Sequence, residues 1–334
     1  MAASKTAQYV ALYRALETDE PRRPPLFRDP HAHAFLSRRL RLVVYAARAS
    51  VLRGWLERYA DRRSPGSRTS AIARTAYIDD SIRSALAAGA RAGTVPVAGT
   101  GTVPETAIDQ LVILGAGFDC RAHRMPELRS VAVYEVDRAD TQAAKRARLP
   151  AAPGLRYVAV DFLRDEVGER LEASGWDPRR RSVFVWEGVT GYLTEPAVRR
   201  VLDWIGTTQP GSRLIFTYLH SGVLDGTTQF AGAARVMANV RALGEPWTFG
   251  LHPEEVGPFV ARSGLALRDN LGADEYRRVV GVEHERVLVG ALFADAEVVA
   301  DGRAIVRSAD PLVVGPELEV CGFGNLSYCI NGGE

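Results

Sequence analysis

The chain has 334 residues, 46% of them hydrophobic and 25% charged, with a formal net charge of +2. This is ordinary globular composition, long enough for one large α/β domain or two small ones. So small a net charge argues against a nucleic-acid binder working by bulk electrostatics. Only Lys5 and Lys145 are lysines, against 40 arginines. With the abundant Ala and Gly, that reads as codon bias more readily than as a set of anion sites. Cys120, Cys321 and Cys329 have no metal-ligand spacing and cannot form a disulfide framework for a chain of this size. Tyr9 to Leu16 is interrupted by Arg14 and so is no signal-peptide core, and no run approaches the ~20 apolar residues of a membrane span. The expectation is a soluble, cytoplasmic protein with neither a membrane nor a nucleic-acid partner, its oligomeric state left open.

In chain order, the first hundred residues read as helical. Ala7, Val10, Ala11 and Tyr13 to Leu16 recur at helical spacing, and Pro21, Pro24 and Pro25 mark a loop. Ala34 to Trp55 is a longer amphipathic run, and a third helix is predicted over Ser67 to Ala92. Residues 1–95 form a helical cap, and the Gly-, Pro- and Thr-rich stretch 93–106 reads as a linker.

From Asp109 strands and helices alternate. Strands are predicted at Leu111–Leu114, Val131–Val136, Tyr157–Val160, Ser182–Trp186 and Arg213–Leu219. Helices lie between them at Arg138–Leu149 and Glu195–Ile205. Repeated β-α units imply a parallel sheet with right-handed crossovers and helices on both faces. Ser221–Leu243 reads as a helical lid insertion and His252–Arg262 as a helix. Leu265–Arg268 and Glu285–Phe293 suit closing edge strands. The domain spans 105–296, and 297–334 is an extension of unassigned role.

Ligands of such sheets bind beyond the carboxyl ends of the strands, where strand order reverses. Gly115-Ala116-Gly117 follows the first strand directly, where glycine lets the backbone approach a ligand closely. About 20 residues on, Glu135 and Asp137 stand where an acid accepts from ribose hydroxyls, or else caps the next helix. Asp161-Phe162, after the third strand, can offer an adenine both a carboxylate and a ring. A dinucleotide fingerprint would continue to a third glycine, but that position is Cys120, which disfavours an NAD-dependent oxidoreductase. A phosphate-free nucleoside ligand needs carboxylate and ammonium partners, for which Arg74, Asp79, Asp80, Asp119 and Glu187 are candidates.

The motifs together resemble the leucine carboxyl methyltransferase family. The resemblance rests on Ala11–Thr18, Pro25–Ala32, Arg74–Asp80, Leu114–Arg124, Tyr134–Asp137, Trp186–Leu193 and Pro210–Arg213, in order, and covers about residues 7 to 293. It implies a Rossmann-like class I methyltransferase sheet under the helical cap, with S-adenosylmethionine as cofactor. It assigns Arg74 to the methionine carboxylate, Gly115 and Gly117 to the glycine turn and Asp137, rather than Glu135, to the ribose. Asp161 and Phe162 fall to adenine, and Glu187 to a contact near the methionine end. Cys120 and His123 stand where many bacterial members carry threonine and tyrosine.

The expected reaction is methyl transfer to a carboxylate of a natural-product intermediate or a peptide C-terminus. A carboxylate is already ionised at neutral pH and needs no general base. Tyr192 could orient it, and Arg121 and Arg124 could clamp it, though a core tyrosine and arginines paired to acids such as Asp119 are the plainer alternatives. Transfer to a hydroxyl would instead need a base, for which His220, at the end of the fifth strand, is the candidate and His252 the alternative.

Overall fold

The computed structural model describes residues 5–92, 108–228, 232–272 and 291–299. The 93–106 linker, the tip of the lid at 229–231 and the tail from 300 onward lie outside the described residues. Strand alternation builds the core. Leu111 and Ile113 face one side of the sheet and Val112 and Leu114 the other, each set in its own apolar cluster.

The strands are β1 (Ile108–Leu114), β2 (Ala132–Asp137), β3 (Leu155–Ala159), β4 (Arg181–Trp186), β5 (Arg213–Leu219), β6 (Leu265–Leu271) and β7 (Ala291–Val298). They form one sheet in the order β3-β2-β1-β4-β5-β7-β6. The first five pair in parallel, whereas β7 is antiparallel to both β5 and β6. Of the strand expected at Glu285–Phe293, residues 285–290 lie outside the described residues; from Ala291 on the expectation is corrected, since β7 is not a closing edge strand but is inserted between β5 and β6, where Leu292, Phe293, Ala294 and Ala296 are buried. The class I methyltransferase sheet is otherwise as expected, with its switch point between β1 and β4.

The cap begins with α1 (Lys5–Thr18) and continues through α2 (Arg38–Ala46), α3 (Ser50–Arg63) and α4 (Ser67–Ala92). The amphipathic run from Ala34 to Trp55 is thus broken into a short 3₁₀ turn and two helices. Ala49 is extended at the break, which redirects the chain so that Arg53 turns inward to Glu20, Glu57 and the Leu16 carbonyl. The 26-residue α4 packs its Ile72, Ala76, Ile78 and Ile82 directly on the sheet. On the opposite face lie α7 (Val167–Ala173), α8 (Glu195–Gly206) and α11 (Pro253–Ala261). The remaining helices are α5 (Arg121–Arg124), α6 (Ala139–Arg146), α9 (Ser221–Asp225) and α10 (Ala233–Ala242), the last two within the lid insertion. No described helix is long and apolar enough to cross a membrane.

Candidate functional site

The site lies at the carboxyl ends of β1, β2, β4 and β5. Gly115 has φ +68°, a left-handed conformation that an L side chain resists, and a Cβ there would stand 2.3 Å from Val189 Cγ2. Its amide and that of Ala116 both donate to the Val136 carbonyl, at 2.7 and 3.0 Å. Gly117 is also left-handed, but a Cβ there would have no neighbour nearer than 3.9 Å. The turn is therefore folded tightly at its first glycine and open at its second, which suits a backbone that receives a ligand.

Asp137 fastens this turn. Its Oδ2 accepts from the Gly117 amide at 2.6 Å and its Oδ1 from the Arg138 amide at 2.7 Å. Burial raises its carboxyl above the ordinary range despite those amides. Glu135, one pleat inside, is wholly buried against Lys145 at 2.5 Å. Burial pushes it up to about 7 against the pull of Lys145. Of the two acids, only Asp137 reaches the glycine turn.

A buried ion network joins the cap to the sheet. Arg121 lies against Asp79 (2.8 Å), Asp119 (2.5 Å) and Glu187 (2.9 Å), and Glu187 also takes Arg74 Nε at 2.7 Å. Arg124 binds Asp79 through both terminal nitrogens and lies over the Phe27 ring. Burial opposes ionisation of Asp119, but Arg121, with Lys145 and Arg14, holds its carboxyl well below the usual range. Burial likewise opposes ionisation of Glu187, but Arg121 and Arg74 lower its carboxyl on balance. The expected acceptor clamp at Arg121 and Arg124 therefore meets a different geometry, since both guanidiniums are buried and committed to carboxylates. Arg74 stacks its terminal nitrogens beside Gly188, near 3.6 Å from where a Cβ would be. Asp80 stands apart, exposed on Arg83.

Phe162 is half-buried and tilted 37° on Trp186 at 6.1 Å, while Asp161 accepts from the Leu163 amide. Tyr192 sits on the 3₁₀ turn after β4, its hydroxyl beside Trp247 and Thr6 and its pKa raised by burial. Thr6 Oγ1 in turn donates to Glu245 at 2.5 Å. Across the site, His220 Nδ1 accepts from the Gly222 amide at 3.0 Å, and its ring meets His252 edge-on at 4.7 Å. Burial, then the neighbouring His252, lowers its pKa.

Sequence reasoning missed three contributors: Thr6 and Trp247 beside Tyr192, and Arg14. Arg14 pairs with Asp29 at 2.9 Å and donates to the Phe118 carbonyl, pinning α1 over the glycine turn. The signal was an arginine in the apolar stripe of a helix, which a buried partner explains. Cys120 is a buried thiol, raised by burial and useless as a nucleophile.

Residues 7–206 match the family described as leucine carboxyl methyltransferase. A Frankia alni protein named as a candidate S-adenosyl-L-methionine-dependent methyltransferase is 33% identical over 230 residues, covering 66% of this chain and 70% of that protein. A Mycobacterium avium protein with the same description is 44% identical over 113 residues, 32% of this chain and 36% of its own length. The fold is shared with a candidate methyltransferase from Thermobifida fusca, of known crystal structure (TM-score 0.52, 17% identity, 87% and 94% of the two chains covered). The chain belongs to the leucine carboxyl methyltransferase family and is an S-adenosylmethionine-dependent methyltransferase, which removes the oxidoreductase alternative.

Proposed function

From that membership we propose that the enzyme forms a methyl ester on a carboxylate of a natural-product intermediate or a peptide C-terminus. The observation that carries this reading is the place of Tyr192, on the 3₁₀ turn after β4 with its hydroxyl beside Thr6 and Trp247, where a phenol can donate to an acceptor oxygen. A donor suits an acceptor oxygen that is already anionic, whereas a hydroxyl acceptor needs its proton removed.

The chain's residues fit the cofactor. The open second glycine, the Asp137 carboxylate beside it and the Arg74–Glu187 pair offer backbone, acidic and cationic groups at the carboxyl ends of the strands. Gly115, Gly117 and Asp137 would hold the nucleoside, Asp161 and Phe162 the base, and Arg74 with Glu187 the amino-acid end. Bound S-adenosylmethionine supplies a methyl group on a sulfonium, a carbon already activated for displacement. What remains for the protein is orientation and exclusion of water. Arg121 holds Glu187 and Asp119 in place rather than touching the acceptor. Tyr192 donates to the acceptor carboxylate, and α1, through Thr6 and Ala7, covers the turn.

Transfer to a hydroxyl is the second reading, favoured by one observation. His220, buried at the end of β5 with its pKa lowered and its ring edge-on to His252, would serve as the base once Nδ1 gives up its bond from the Gly222 amide. Incubating the enzyme and methyl-labelled cofactor with a metabolite extract distinguishes the two. A label released by mild alkali is an ester and supports carboxylate transfer. An alkali-stable label on oxygen refutes it in favour of the hydroxyl.

A further inference from the structure

The exposed face of α2 and α3 has no part in cofactor or acceptor binding, yet it is the most unusual surface described. Residues 38–63 hold eight arginines against Glu57 and Asp61, a net +6 in a chain whose total is +2. All of these arginines but Arg53 are exposed. Between them stand large apolar side chains: Leu42 is 67% exposed, Tyr45 70%, Val51 86% and Trp55 57%, with Leu52 and Tyr59 about half. Trp55 and Tyr59 stack at 5.8 Å, 10° from parallel. Beside them a groove of about 540 Å³ places Arg38, Arg41 and Arg48 around Leu42 and Tyr45. Asp19, the acid in its lining, is already held by Arg48.

Apolar groups gathered on a surface mark a contact. Covering them with a second copy by a two-fold axis would set this patch against itself, and seven exposed arginines would then face seven. The occupant must be apolar and anionic together. A bilayer surface containing acidic phospholipid has both properties: Trp and Tyr settle at headgroup depth, aliphatic tips enter the acyl boundary, and guanidiniums pair with phosphates.

We propose that the α2–α3 face docks the protein on a bilayer surface rich in anionic phospholipid. This departs from the sequence expectation of no membrane partner, which rested on the lack of a spanning run; surface docking needs none. The face also adjoins the lid: Asn239 of α10 donates to the Arg63 carbonyl and Ser64 Oγ, both at 3.1 Å, and Arg235 to the Arg62 carbonyl.

The test is flotation of the full chain with vesicles of phosphatidylcholine alone or mixed with phosphatidylglycerol. The expected result is about tenfold more protein on the anionic vesicles, reversed by ~0.5 M salt. The double variant Val51→Ser/Trp55→Ser and the triple variant Arg38→Gln/Arg39→Gln/Arg41→Gln should each lose most of that binding, roughly fivefold, while binding S-adenosylmethionine as before. Equal partitioning on the two vesicle types overturns the proposal. So does binding that needs the arginines but tolerates the apolar variant, which is charge adsorption alone. A dimer by light scattering that Val51→Ser/Trp55→Ser converts to monomer also overturns it, since the face then belongs to a second copy.

Discussion

Arg121→Leu is the sharpest test of the ion network beneath the site. The side chain is buried and touches three carboxylates, but their fates differ when it is removed. Asp79 keeps the bidentate Arg124, and Glu187 keeps Arg74. Asp119 retains as donor only the backbone amide of residue 121, at 2.6 Å, with Lys145 and Arg14 acting from further away. One stranded buried charge, not three, sets the loss, at about 3–5 kcal/mol. For a chain of 334 residues, whose unfolding entropy is about 0.7 kcal/mol/K, that lowers Tm by roughly 4–7 °C. The sign with pH follows from the depressed carboxyl of Asp119. In the wild type its stabilisation is present above the unfolded pKa of ~3.9 and is lost as pH falls through the folded value. Without Arg121, burial raises the same carboxyl instead, so acid relieves the variant and the gap in Tm narrows from pH 7.5 to pH 5.5. Thermal unfolding followed by tryptophan fluorescence at both pH values measures this. A variant melting within ~1 °C of wild type, or a gap that widens in acid, would refute the reasoning.

Four further outcomes follow from the site. Gly115→Ala forces a side chain into a left-handed turn against Val189, and calorimetry should find cofactor Kd raised at least about tenfold, whereas Gly117→Ala, strained but unobstructed, costs less. Tyr192→Phe should lower kcat by roughly 10- to 100-fold with little change in cofactor Kd, because it removes a donor to the acceptor and no cofactor-binding group; equal loss in both parameters would place the hydroxyl in cofactor binding. His220→Asn should leave methyl-ester formation within about threefold of wild type, and a loss beyond ~100-fold would favour the base-dependent hydroxyl reading. Glu135, raised to about 7, keeps in the folded state a proton that the unfolded chain releases near pH ~4.3. Stability should therefore decline as pH rises from about 5 and level off above 7, by about 1–3 kcal/mol, and denaturation of Glu135→Gln should show that slope reduced.

Much of this molecule was legible in its residues because the relevant signals are local. Four apolar residues ending in glycine mark a buried parallel strand, and α4 begins and ends at Ser67 and Ala92 as its periodicity predicted. The glycine turn, the acid some 20 residues on and the ordered family motifs required only spacing along the chain. What sequence could not decide was which side chains spend their charge on one another. Arg121 and Arg124 beside a ligand turn look like an acceptor clamp until Asp79, 42 and 45 residues away, is folded against both. Arg14, which merely interrupts an apolar stretch in sequence, becomes the pin holding α1 over the turn once Asp29 and the Phe118 carbonyl lie beside it. Likewise β7 enters the sheet one strand in from its edge, because antiparallel pairing lets a strand from late in the chain lie beside β5. Local periodicity is a property of neighbours in sequence, so it determined the elements. Charge pairing, strand insertion and the exposure of the α2–α3 face depend on neighbours in space, and only the tertiary structure decided them.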